Sequence, residues 1–198
     1  MRAATGRPRQ GPSPWTSYNI KVQGLGPWWV QGDALALPSF DRSMVGMSFS
    51  VRDARPDDLP AVLGLMAQLN PEDAPLDPAL AVATWRDILA RPGVHTLVAC
   101  CDETVLACLT LVLVPNLSRG AKPYAMIENV VTDASHRGQR IGRRLLDAAV
   151  QRAWDAGAYK VMLMTGSKKE STLGFYRAAG FADDKTAFQI RRVDYVRD

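Results

Sequence analysis

The chain has 198 residues, 47% of them apolar, and a net charge of +4, which suits one globular domain with room for a sizeable core. No run approaches the roughly 18 apolar residues of a membrane span, so no membrane partner is expected. Of the 24 Lys/Arg and 20 Asp/Glu, five and two fall in residues 1–47; the rest of the chain is nearly neutral, which argues against nucleic acid. Three cysteines, Cys100, Cys101 and Cys108, have neither metal spacing nor an even-numbered disulfide framework. They read as buried reduced thiols, as in a cytoplasmic protein. His95 and His136 stand apart from each other and from the cysteines, so no metal is expected.

Residues 1–47 are rich in Pro and Gly, hold Trp15, Trp28 and Trp29, and show no period of 2 or 3.6. They are expected to be a disordered extension, or the product of a misassigned start with translation from Met44 or Met47. A folded domain over 48–198 comes next. Residues 48–54 alternate like a half-buried strand. Arg55-Pro56-Asp57-Asp58 opens a helix, with Pro and acids in its first turn, and Leu59, Val62, Leu63, Leu65, Met66 and Leu69 recur at helical spacing. Residues 70–78 hold three Pro and form a loop, and a second helix runs over 78–90 until Pro92-Gly93. Residues 94–101 and 105–114 read as an antiparallel hairpin about the turn Asp102-Glu103. A polar loop, 115–123, leads into the centre of the chain.

That centre is IENVVTDASHRGQRIGRRLL, from Ile127 to Leu146. Residues 125–132 are apolar and β-branched, as a buried strand should be. Ile141, Leu145, Leu146, Ala149 and Ala153 recur at helical spacing in a helix over 140–156 that Gly157 ends. Between them lies a short polar turn, 133–140. A strand, a tight turn and a helix N-terminus make an anion site, because the first helical turn has free N–H groups and the helix dipole adds partial positive charge. Gly138 and Gly142 allow close approach to the backbone, and Arg137, Arg140, Arg143 and Arg144 add formal charge. The same turn could equally be a solvated basic face. Residues 159–164 form the next strand, 170–179 a short helix ended by Gly180, and 186–193 a closing strand with Phe188 and Ile190 on one face.

Arg137-Gly138-Gln139-Arg140-Ile141-Gly142 resembles the pyrophosphate-binding motif of the Gcn5-related N-acetyltransferase (GNAT) superfamily, with Arg140 where a first Gly is usual. Ile127-Glu128-Asn129-Val130-Val131 followed by Arg137-Gly138 is similar to the glucosamine-phosphate N-acetyltransferase branch, with Asn129 in place of Asp. Gly174-Phe175-Tyr176-Arg177-Ala178-Ala179-Gly180-Phe181 resembles a second family motif. Two motifs in order are a far stronger signal than either alone. Periodicity by itself supports only an α/β or α+β domain. The resemblance implies a mixed central sheet of about six or seven strands, flanked by about four helices and splayed at the central strand.

The resemblance further implies acetyl-CoA as co-substrate. Arg137, Gly138, Gln139, Arg140, Ile141, Gly142 and Arg143 would take its pyrophosphate, and the backbone of Val130, Val131 and Thr132 would pair with its pantetheine amides as an added strand does. Glu128 would be the general base that accepts the amine proton, or else a paired strand carboxylate. Tyr176 would protonate the departing thiolate, or else simply pack. The implied loop after the first helix borders the acceptor, so Glu72 and Asp73 would meet a cationic amine or be merely solvated. Lys168 and Lys169 would suit a phosphate. The expected acceptor is a primary amine of a small molecule, an amino sugar among the candidates, and the fold allows a homodimer. A protein or peptide acceptor, or a non-catalytic acyl-CoA-binding module, is the alternative.

Overall fold

The computed structural model describes residues 48–192; the expected extension at 1–47 lies outside the described residues. In chain order the elements are β1 (Phe49–Asp53), a 3-10 turn (Pro56–Asp58), α1 (Leu59–Leu69), α2 (Pro78–Ala90), β2 (Val94–Cys101), β3 (Thr104–Val114) and β4 (Tyr124–Thr132). A second 3-10 turn (Ala134–His136), α3 (Ile141–Asp155), β5 (Val161–Leu163) and α4 (Glu170–Ala178) complete them. The strands form one sheet in the order β1-β2-β3-β4-β5. The first four are antiparallel neighbours, while β5 returns parallel to β4 through the α3 crossover, as a parallel pair requires. The mixed α/β architecture is as expected, with five strands among the described residues where six or seven were anticipated.

The missing strand is the closing one. Residues 186–192 are not a strand, and Phe188 and Ile190 are 91% and 98% exposed. Alternation makes a strand only where the segment pairs with an edge and buries a face, and among the described residues no strand pairs with this one. The other elements fall within a few residues of their expected bounds. The first helix starts later, because Pro56 and the acids form the 3-10 turn instead. Asp58 turns inward from it. Its carboxylate takes Arg52 Nη1 at 2.6 Å, Arg52 Nη2 at 2.9 Å and the Arg55 N–H at 2.6 Å. Trp85 of α2 donates its indole N–H to the carbonyls of Arg55 (3.3 Å) and Pro56 (3.2 Å), tying that helix to the same turn.

The sheet separates two apolar layers. α3 buries Ile141, Leu145, Leu146, Ala149 and Ala153 against Leu97, Ala99, Cys101, Leu109, Leu111 and Ile127. α1 and α2 bury Val62, Leu65 and Trp85 against Val98, Cys100, Cys108 and Val131. Adjacent Cys100 and Cys101 thus serve opposite faces, as the pleat dictates. All three cysteines are buried free thiols, and burial pushes the Cys108 thiol up to about 12.

Two irregularities set the shape of β4 toward its C-terminal end. Cys108 pairs with Val131 but Thr110 with Glu128, so Asn129 and Val130 together oppose Leu109 in a β-bulge. Asn129 sits at φ 54, a left-handed conformation that Asn tolerates better than β-branched residues. Second, β5 pairs with β4 only at Ala125, Met126 and Ile127. From Glu128 to Thr132 that side of β4 has no neighbouring strand among the described residues: the sheet is splayed there.

Candidate active site

The splay leaves outward backbone groups of the second half of β4 without ladder partners, which is the condition for an added strand to bind. The side chains divide between the layers: Val131 is core on the α1–α2 side, and Val130 packs against the α3 layer. Just beyond, the polar turn is built to a definite shape. Gly138 lies at φ 80, with nothing near the place where a Cβ would be. Arg140 precedes α3 at φ 62 and gives it no side-chain cap, so the N–H groups of Ile141, Gly142 and Arg143 lack helical partners. Ile141 itself points its side chain into the core.

These features fit an anionic, amide-bearing donor. The open space at Gly138 would leave room for a phosphate against the backbone, and uncapped N–H groups with a helix dipole favour negative charge. One buried side-chain atom here has no partner, the Gln139 Oε1, and a buried acceptor left alone is costly until something donates to it. Arg137 Nε is hydrogen-bonded to the Thr132 carbonyl at 3.2 Å, and Arg140 is exposed. Two of the expected cations are otherwise engaged. Arg143 binds Asp147 (Nε to Oδ1, 2.8 Å) and the Ala178 carbonyl, and Arg144 lies 3.4 Å over the Phe49 ring.

Gly142 has a reason to be glycine that its place in the motif does not supply. A Cβ there would lie 2.7 Å from Thr132 Oγ1 and 3.7 Å from the Phe175 ring. α3 therefore starts in direct contact with both the end of β4 and α4. Phe175 and the Arg143–Ala178 hydrogen bond dock α4 onto the start of α3, which brings the second motif to the first.

Tyr176 is partly buried beside the α3 layer, with its ring edge-on to Phe175 (5.1 Å) and Phe181 (6.4 Å). Burial pushes its phenol above the ordinary value, and the nearby charge of Glu128 adds to the rise. The two expected catalytic groups are thus within electrostatic reach of each other. A phenol so perturbed stays protonated near neutral pH and can donate. Glu128 is half-buried on β4, opposite Thr110.

Sequence reasoning missed a polar knot at the start of the turn. Asp133 accepts hydrogen bonds from the Ser135 backbone N–H (3.0 Å) and hydroxyl, from Gln68 Nε2 (2.9 Å), and pairs with His136 Nδ1 (2.8 Å). Those bonds, Ser135 first and then Gln68 and His136, hold its carboxyl well below the usual carboxylate range. The Asp133-x-Ser135 spacing was a local clue; Gln68, 65 residues away, gave none. Glu72, Asp73, Lys168 and Lys169 are all exposed, on the loop after α1 and at the approach to α4. Among the described residues no cluster of three His, Cys, Asp or Glu forms a metal site, and no helix is long and apolar enough to cross a membrane.

The chain is similar to known proteins across this region. It is 30% identical over 137 residues to glucosamine 6-phosphate N-acetyltransferase of Trypanosoma brucei brucei, covering 68% of this chain and 90% of that one. It is 33% identical over 95 residues to an IAA acetyltransferase of Azospirillum brasilense, 48% of this chain and 59% of the relative. A solved structure from Agrobacterium tumefaciens str. C58, described as an acetyltransferase, superposes with a TM-score of 0.71 at 45% identity, covering 72% of this chain and 99% of that one. The sequence model of the Acetyltransferase (GNAT) family matches residues 62–181. Because that match runs from α1 through both motifs and the splayed strand before them, the chain belongs to the acetyltransferase (GNAT) family, whose members are acetyl-CoA-dependent N-acetyltransferases.

Proposed function

We propose that this protein moves an acetyl group from acetyl-CoA to the primary amine of a small molecule, with a phosphorylated amino sugar the first acceptor to test. The observation that carries the reading is the junction of the two motifs. Phe175 and the Arg143–Ala178 hydrogen bond join α4 to the uncapped start of α3, and Glu128 of β4 is near enough to Tyr176 to act on its phenol. The acceptor class is suggested by the Trypanosoma relative, which is named for glucosamine 6-phosphate. The exposed Lys168 and Lys169 suit a phosphate, and Glu72 and Asp73 suit a cationic amine.

In this reading the turn of Arg137, Gly138, Gln139 and Arg140, with the N–H groups of Ile141, Gly142 and Arg143, holds the pyrophosphate. The backbone of Val130, Val131 and Thr132 aligns the pantetheine arm. When bound, acetyl-CoA supplies the activated thioester. Glu128 accepts the proton that the amine must shed as its nitrogen bonds to the acetyl carbon. Tyr176 gives its hydroxyl proton to the sulfur as the C–S bond breaks, and recovers one from solvent. Excluding water from the splay strengthens both interactions.

A thiol-release screen with acetyl-CoA tests the reading. Amino sugars and their phosphates, polyamines, amino acids, aminoglycosides and peptides form the panel. Turnover is expected with an amino-sugar phosphate. Turnover with peptides alone overturns the small-molecule assignment, and CoA binding without thiol release from any amine points to a binding module. The catalytic domain proposed is 48–198, so a chain beginning at Met47 is expected to bind acetyl-CoA as the full chain does. A large loss of affinity would bring residues 1–46 into the site. The cytoplasm is the compartment proposed, on the three buried reduced thiols.

A further inference from the structure

We propose that Gln68 is a positioning residue for donor binding, clamping the turn between β4 and α3 to the end of α1. The proposal rests on the reading of that turn as the pyrophosphate site. Gln68 is exposed in the last turn of α1, where a glutamine is ordinarily a solvated side chain. Here both ends of its carboxamide are used. Nε2 donates to Asp133 Oδ2 at 2.9 Å, and Oε1 accepts the Ala134 N–H at 2.8 Å. The two bonds grip consecutive residues, as a two-point clamp does, and fix orientation as well as distance.

What they grip is the first bend of the donor turn. The Asp133 N–H is bonded to the Leu106 carbonyl of β3 at 2.8 Å, and the His136 N–H to the Asp133 carbonyl at 3.0 Å. Asp133 Oδ1 gathers Ser135 and His136, which leaves Oδ2 for Gln68. Arg137 comes next, hydrogen-bonded back to Thr132. Asp133 is therefore held from β3, from its own turn and from α1, and the backbone of 137–142 hangs from that anchor. One residue beyond Gln68, α1 ends at Leu69 and opens into the loop 70–77 that carries Glu72 and Asp73. Gln68 thus joins the segment assigned to the acceptor with the turn assigned to the donor.

The test measures CoA affinity by titration calorimetry on the full chain, with steady-state kinetics and thermal midpoints alongside. Gln68→Met keeps length and removes both bonds; CoA affinity is expected to fall about five- to tenfold, with kcat at saturating acetyl-CoA within about twofold. Gln68→Glu sets a carboxylate against Asp133 and should weaken CoA more. Combining Gln68→Glu with Asp133→Asn reverses the polarity of the bond and leaves Oδ1 an acceptor for Ser135 and His136. That double variant should recover affinity to within about threefold of the natural protein. A merely structural side chain would shift the thermal midpoint without this split or rescue. Unchanged CoA affinity in both single variants overturns the proposal, as does a double variant no better than Gln68→Glu. If the natural protein fails to bind CoA, the donor-site reading falls first, and the clamp with it.

Discussion

The two ends of β1–β5 handle their polar groups in opposite ways. On the β1 side, Asp58 accepts from both the Arg52 guanidinium and the Arg55 N–H, and the Trp85 indole donates to the carbonyls of Arg55 and Pro56. At the splayed end of β4, backbone groups lack a ladder, α3 lacks a cap, Gln139 Oε1 is orphaned, and the charge of Glu128 helps to raise the Tyr176 phenol. A buried polar group without a partner is destabilising. The first end is therefore where polarity stabilises the fold, and the second is where a ligand would complete it.

Substitutions should separate the ends. The largest expected effect is on stability. Asp58→Ala leaves the Arg52 guanidinium without its bidentate partner and should cost about 3 kcal/mol, read by urea denaturation, while the folded fraction keeps its affinity for acetyl-CoA. A loss of affinity with no loss of stability would reverse the contrast. Tyr176→Phe should do the opposite. Turnover should fall about 10²-fold, donor affinity should barely move, and stability should change by no more than about 0.5 kcal/mol. A rate within about threefold of the natural one would make Tyr176 a packing residue.

Glu128→Gln should lower turnover about tenfold, most at low pH where the amine needs a base and least at high pH where free amine is abundant. A uniform fall across pH would argue against a base. Gly142→Ala brings a Cβ to 2.7 Å from Thr132 Oγ1 and should destabilise by about 1 kcal/mol. Much of that loss should be absent in a Thr132→Ala background, which removes the opposing hydroxyl; full additivity of the two changes would refute the steric account. The smallest effect is on acid stability. Asp58 is lowered chiefly by its hydrogen bond to Arg52, so its contribution is present above the unfolded carboxylate pKa of about 4 and is lost as pH falls through the lower folded value. Asp133 shifts in the same direction, but its partial exposure weakens its share. Unfolding free energy should therefore decline below about pH 4, less steeply in Asp58→Ala.

Local patterns in the sequence revealed most elements of this fold and the two motifs, because a buried strand, an amphipathic helix and a glycine-bearing turn each leave a local mark. What escaped was non-local. One partner of Asp133, Gln68, is on α1, and the neighbours of Gly142 are Thr132 and Phe175, none of them adjacent in the chain. The motif also left unmarked that Arg143 bonds the Ala178 carbonyl and that Arg144 lies over the Phe49 ring. The alternation at 186–192 looked like a strand, but no edge pairs with it. Asn129 stood out only as a departure from a motif, while its left-handed backbone in the bulge gives that departure a physical reason.

Acetyl-CoA is proposed to bind at the unpartnered groups of the splayed end of β4 and the start of α3. Amide hydrogen exchange on the full chain, with and without CoA, tests it most directly. Protection is expected at Val130–Thr132 and at residues 138–143, with little change at Phe49–Asp53 or Pro56–Asp58. Protection concentrated away from β4 and the β4–α3 turn, at a CoA concentration that saturates the protein, would put the donor site elsewhere.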